Sequence, residues 1–98
     1  MSLLVVGGHE RMEKDYLEIG KISGFKTKVC TKKANKLAVS IGNPDAIIIL
    51  TSTVSHKICS IVESKAKKKN IPIYRRKSSS RSSFFECIEQ IQDELCHS

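Results

Sequence analysis

The chain opens with an unbroken aliphatic run, Leu3-Leu4-Val5-Val6, that stops at Gly7-Gly8. Four apolar residues are too few for a helix and paired glycines mark a turn, so this pattern predicts a strand. The period then changes. Met12, Tyr16, Ile19 and Ser23 recur at helical spacing with Leu17 and Ile22 on the flanks, and Gly24 supplies the stop. Phe25, Thr27 and Val29 next alternate with Lys26, Lys28 and Cys30, the period of a strand with one wet face, and its outward lysines mark an edge. A short helix through Ala34, Leu37, Ala38 and Ile41 is predicted to end at Gly42. Asn43-Pro44-Asp45 turns the chain into a second aliphatic run, Ala46-Ile47-Ile48-Ile49-Leu50, whose lack of polar positions predicts burial on both faces, as in the middle of a parallel sheet. Thr53 or Ser52 is the expected cap of the following helix, which runs through Ile58, Ile61, Val62 and Ala66. Ile71-Pro72-Ile73-Tyr74 reads as a fourth strand, placed at the other edge because proline cannot donate to a ladder. A last helix buries Phe84, Ile88, Ile91 and Leu95, with Ser83 and Glu86 spaced as a capping box.

Strands alternating with helices and joined by right-handed crossovers predict a four-stranded parallel sheet in spatial order 2-1-3-4. The expectation is a single three-layer α/β domain over residues 1–98, similar to a truncated flavodoxin-like or Rossmann-like fold. Chain direction reverses between strands one and three, and the crevice this opens at their C-terminal ends is where open α/β sheets bind ligands. Both endings carry a histidine: Gly7-Gly8-His9-Glu10-Arg11 and Thr51-Ser52-Thr53-Val54-Ser55-His56-Lys57.

The glycine pair lets a ligand approach the backbone and leaves helix-start amides open to an anion, although a tight turn explains it equally well. It lacks the third glycine of a dinucleotide fingerprint and the Gly-Lys-Ser/Thr of a phosphate loop, so neither NAD nor ATP is specified. His9 and His56 are expected at helix N-termini, which disfavour imidazolium. A neutral imidazole can ligate a metal, donate to a carboxylate or phosphate, or act as acid or base, and these two are the metal candidates. A lone histidine would be assigned a surface or capping role; two at equivalent strand ends point to a site. Ser55 and His56 are neighbours whose side chains diverge by ~100°, which argues against a nucleophile and base pair. Glu10 is the nearest carboxylate, since Asp45 precedes strand three and belongs at the opposite edge. His56 and Cys59, three apart, could pair on a metal, but Cys59 shares a helix face with Val62 and Ala66 and reads as core. After strand four, Arg75, Arg76, Ser78, Ser79, Ser80 and Arg81 are expected to bring hydroxyls and guanidinium forks to the crevice.

Charge changes the picture in one respect. Seventeen Lys and Arg against ten Asp and Glu leave +7, which favours anionic partners. Eight of the basic residues fall between Lys65 and Arg81 with no acid among them, which predicts a basic patch at one end of the molecule. Aromatics are scarce and Phe84 is expected in the core, so nucleic acid would be held only through unspecific, salt-sensitive phosphate contacts. Cys30, Cys59, Cys87 and Cys96 are dispersed without a C-x-x-C pair and read as reduced thiols. No apolar stretch approaches the ~18 residues of a membrane span and no export signal is visible, so a soluble cytoplasmic protein is the expectation.

The segments Gly7-Gly8-His9-Glu10-Arg11-Met12, Gly42-Asn43-Pro44-Asp45, Thr53-Val54-Ser55-His56-Lys57 and Ser78-Ser79-Ser80 resemble those of a bacterial family of small proteins without assigned function, of the DUF2325 kind. The resemblance spans nearly the whole chain. It implies haem as one ligand, with a histidine, here His9 or His56, as axial donor; at Thr51-Ser52-Thr53 the chain departs from a stretch that often holds acid or cysteine in the family. Three functional readings follow, in order. The first is a non-enzymatic binding or regulatory module that holds an anionic or iron-bearing small ligand between strands one and three. Its polar centre is His9, Ser55 and His56, and Arg11, Arg75, Arg76 and Arg81 form its rim. The second is a small hydrolase or transferase that uses His9 or His56 with Glu10. The third is a basic adaptor for nucleic acid or an acidic protein. A homodimer through helix one or an edge strand would enlarge the pocket of so small a sheet.

Overall fold

The computed structural model describes residues 1–30 and 41–95. Strands β1 (Ser2–Val6), β2 (Lys26–Cys30), β3 (Ala46–Leu50) and β4 (Ile73–Arg76) form one sheet in the order β2-β1-β3-β4, with every pairing parallel. Among the described residues, the helices are α1 (Glu13–Ile22), α2 (His56–Lys68) and α3 (Arg81–Leu95), and a 3-10 turn at Glu10–Met12 precedes α1. Sheet order and strand direction are those predicted from the two aliphatic runs. The helix expected through Ala34, Leu37 and Ala38 lies outside the described residues.

Alternation along the central strands feeds two separate cores. Leu3, Val5, Ala46, Ile48 and Leu50 pack against Tyr16 and Ile19 of α1 and against Phe84, Cys87, Ile88 and Ile91 of α3. Leu4, Val6, Ile47 and Ile49 turn the other way, onto Val62 and Ala66 of α2. With helices on both sides, β3 has no wet face, and all five of its residues are buried. Ile47, Ile48, Ile49 and Leu50 each contribute roughly 1.5–3 kcal/mol by leaving water. Burial also pushes the Cys87 thiol up to about 11, so at neutral pH it is protonated, inert core.

Strand four starts two residues later than its apolar pattern suggests. Pro72 has no amide to offer, and it enters the ladder only through its carbonyl, which accepts from Ile47 N at 3.0 Å. Pairing then runs from Ile47 with Ile73 to Leu50 with Arg76. Arg75 and Arg76 consequently lie on the strand and not in the loop after it. Successive strand residues face opposite ways. Arg75 forms an ion pair with Glu63 of α2, and Arg76 donates to the Gln90 side chain of α3.

The predicted single basic patch is also corrected. Lys65, Lys67, Lys68 and Lys69 fall at the end of α2, beside the N-terminal edge of the sheet, where Lys69 Nζ donates to the Gly42 carbonyl at 2.6 Å. Arg75, Arg76, Lys77 and Arg81 stand at the C-terminal edge, about one helix length or roughly 20 Å away. The acids are sorted too. Glu13, Asp15 and Glu18 on α1 with Glu86, Glu89, Asp93 and Glu94 on α3 are seven of the chain's ten, against Lys14, Lys21 and Arg81 on the same two helices. On the other face, α2 carries Lys57, Lys65, Lys67 and Lys68 against one acid, Glu63. An acidic layer therefore covers one side of the sheet and a basic layer the other.

Candidate functional site

The loops after β1 and β3 meet at the C-terminal edge because those strands are adjacent and parallel, with Val6 opposite Ile49. Their meeting point is a hydrogen bond from Gly8 N to Thr53 Oγ1 at 2.6 Å, while the same hydroxyl donates to the Leu50 carbonyl at 2.9 Å. Thr53 is thus a brace between loops and not the expected cap of α2. Capping falls to Ser55, whose Oγ accepts from Ile58 N at 3.3 Å, which places His56 in the first turn. Replacing Thr53 with valine keeps the shape but leaves the Gly8 amide without its acceptor. The expected loss is about 1–2 kcal/mol in urea unfolding, with amide signals of both loops displaced together.

The glycine pair serves this contact. Gly7 and Gly8 have φ of +102° and +90°, and a Cβ on Gly8 would fall 2.7 Å from Tyr16 Cε2. Their amides are already engaged, Gly7 N with the Cys30 carbonyl at 2.9 Å and Gly8 N with Thr53. What the edge presents outward is side chains. His9, in extended conformation ahead of the 3-10 turn, is exposed, as are Arg11, Ser52, Ser55 and His56. Thr51 is half-buried, its amide bonded to the Arg76 carbonyl at 2.9 Å, which ties the β3 ending to β4.

The serine loop after β4 closes the edge from the other side. Ser80, and not Ser83, caps α3: its Oγ accepts from Ser83 N and its carbonyl from Phe84 N, so a single serine cap one turn earlier replaces the expected Ser83–Glu86 box. Ser78 Oγ accepts from Ser80 N at 3.2 Å and donates to Ser80 Oγ at 3.0 Å. The Ser79 carbonyl receives the Tyr16 hydroxyl at 2.5 Å. Tyr16 is the residue that the pattern assigned only to the core: fully buried, it underlies the glycine pair and pins the serine loop. Burial, the larger effect, raises its pKa above the ordinary phenol value, so the hydroxyl stays protonated as donor. Arg81 lies 3.5 Å from Asp15 of α1. The structure therefore joins the loop of Gly7, Gly8 and His9 to the loop of Thr51, Ser52, Thr53, Ser55 and His56 through the Gly8–Thr53 bond, ties the loop of Ser78, Ser79 and Ser80 to Tyr16 beneath them, and turns Arg75 and Arg76 onto the flanking helices. Among the described residues, no three His, Cys, Asp or Glu side chains are grouped as a metal site.

Residues 2–91 match the family described as an uncharacterized protein conserved in bacteria, DUF2325. The chain belongs to this family. No curated protein matches this DUF2325 member. Among solved structures it is similar to a de novo designed Rossmann fold protein, at 20% identity and a TM-score of 0.62, covering 93% of this chain and 96% of that one. At such identity the likeness establishes the fold of the DUF2325 chain and nothing of its chemistry. No helix among the described residues is long and apolar enough to cross a membrane.

Proposed function

We propose that this DUF2325 protein is a non-enzymatic binding module that holds a small anion at the C-terminal edge of β1 and β3. Imidazoles of His9 and His56 and the Ser55 hydroxyl form the polar centre, with Arg11 and Arg81 at the rim. The bond between Gly8 and Thr53 carries this reading, because it fixes the loop bearing His9 against the loop bearing His56. Ser55 supports binding over catalysis: its oxygen accepts from Ile58 N in the α2 cap, which leaves its proton to donate to an anion, and the adjacent imidazole diverges from it. A porphyrin fits this edge poorly. It needs an apolar slot, whereas Leu50 and Tyr16 are buried inward and Val54 is packed into the α2-side core.

Titration with inorganic phosphate, followed by backbone amide NMR, tests the reading. The expected shifts centre on Gly8, His9, Thr53 and His56, and a His9→Ala, His56→Ala double variant should bind at least about tenfold more weakly, a difference of about 1.4 kcal/mol. Equal affinity in parent and double variant overturns the assignment. A parallel titration with haemin is expected to leave the visible spectrum of free haemin unchanged.

A further inference from the structure

Among the described residues, three of the four exposed large apolar side chains, Leu17, Ile22 and Phe85, lie on the helices of the acidic layer, and the fourth is Met1. Ile22 of α1 is 76% exposed and Phe85 of α3 is 46% exposed. With Ile19 beneath them they line a groove of about 450 Å³ between the two helices, rimmed by Arg81 at one end and by Glu86 and Glu89 along α3. We propose that this groove is the interface of a twofold-symmetric homodimer, with α3 packed antiparallel on α3 across Phe85.

Charge order along α3 selects a second copy as the occupant. Arg81 lies one turn before Phe85 and Glu89 one turn after it, all three on the exposed stripe of the helix. When two such stripes run antiparallel about Phe85, Arg81 of each copy falls opposite Glu89 of the partner subunit, twice by symmetry. The pattern is complementary to itself. The rest of this face is acidic, so the two Arg81–Glu89 pairs also offset like charge between the copies. Ile22 then packs beside the pair of phenylalanine rings, and the apolar side chains that each monomer exposes leave water together. Two helices side by side offer a face on the order of 20 Å across, at the small end of specific interfaces, so a concentration-dependent dimer is expected.

Sedimentation equilibrium of the full chain over a hundredfold concentration range tests this. Expected are a mass that rises towards twice that of the chain, a monomer for Phe85→Asp with unchanged circular dichroism, and at least about tenfold weaker association for Arg81→Glu or Glu89→Arg alone. The double reversal, Arg81→Glu with Glu89→Arg, restores opposite charges across the axis and should recover most of the parent affinity, which a merely local role for Arg81 beside Asp15 would not produce. A parent that is monomeric throughout overturns the proposal. So does a dimer that Phe85→Asp leaves intact, or a double reversal no better than the single variants. Arg81 borders both the groove and the candidate site, but Phe85 and Glu89 belong to the groove alone and sedimentation is read without phosphate, so their variants judge the interface separately.

Discussion

Substituting alanine for Phe84 is expected to cost about 3–5 kcal/mol, a large part of the stability of a domain this small. The ring is fully buried, and its centroid lies 4.6 Å from that of Tyr16 at an interplanar angle of 36°, so it joins α3 to α1 above the sheet. Removing it forfeits the transfer free energy of a phenyl group and leaves a void that the flanking Ile88 and Leu50 cannot fill without moving backbone. The void would open next to the Tyr16 side chain, whose hydroxyl holds the Ser79 carbonyl. Urea unfolding followed by circular dichroism should therefore show a much lower midpoint. Hydrogen exchange should show faster opening at the start of α3 than in β3. A loss below about 1 kcal/mol would mean that the ring does not bear on this core as described.

Gly7→Ala is the second large effect, expected at about 2–4 kcal/mol. One part is conformational, since φ of +102° lies where an L side chain costs about 1–2 kcal/mol. The other part is crowding: the new Cβ would stand 2.6 Å from Thr53 Oγ1, 2.9 Å from Val54 Cγ1 and 3.0 Å from the Leu50 carbonyl. Gly24→Ala separates the two. Gly24 has φ of +87° and nothing within 4 Å of an added Cβ, so its substitution isolates the conformational part. The Gly7 variant should be the less stable of the two in urea unfolding and should weaken phosphate binding, because the loops bearing His9 and His56 are pushed apart. Equal losses at both positions would leave no role for the close approach.

Sheet order was legible because the two all-aliphatic runs could be nothing but inner strands, while Lys26 and Lys28 alternating with Thr27 and Val29 announced an edge. The start of β4 was not. The pattern counts Ile71 as apolar and is blind to a ladder that takes only the Pro72 carbonyl, so the arginines were assigned one loop too late. The caps failed for a related reason. Ser52, Thr53 and Ser55 are all able cap residues, and the choice was made by a partner 45 residues away, since the Gly8 amide claims the Thr53 hydroxyl. Tyr16 showed only its helical period in the sequence. Its bond to Ser79 spans 63 residues and leaves no local trace. The site was thus legible as a place, from the strand ends, while the scaffolding that shapes it was set by long-range contacts.

Among the described residues, the excess of acids on α1 and α3 and of lysines on α2 makes the charge unequal across the sheet. Near a charged surface the molecule feels a torque before it makes any contact. Against a polyanion it arrives with α2 leading, so the groove at Phe85 points back toward bulk solvent and stays free to meet another molecule.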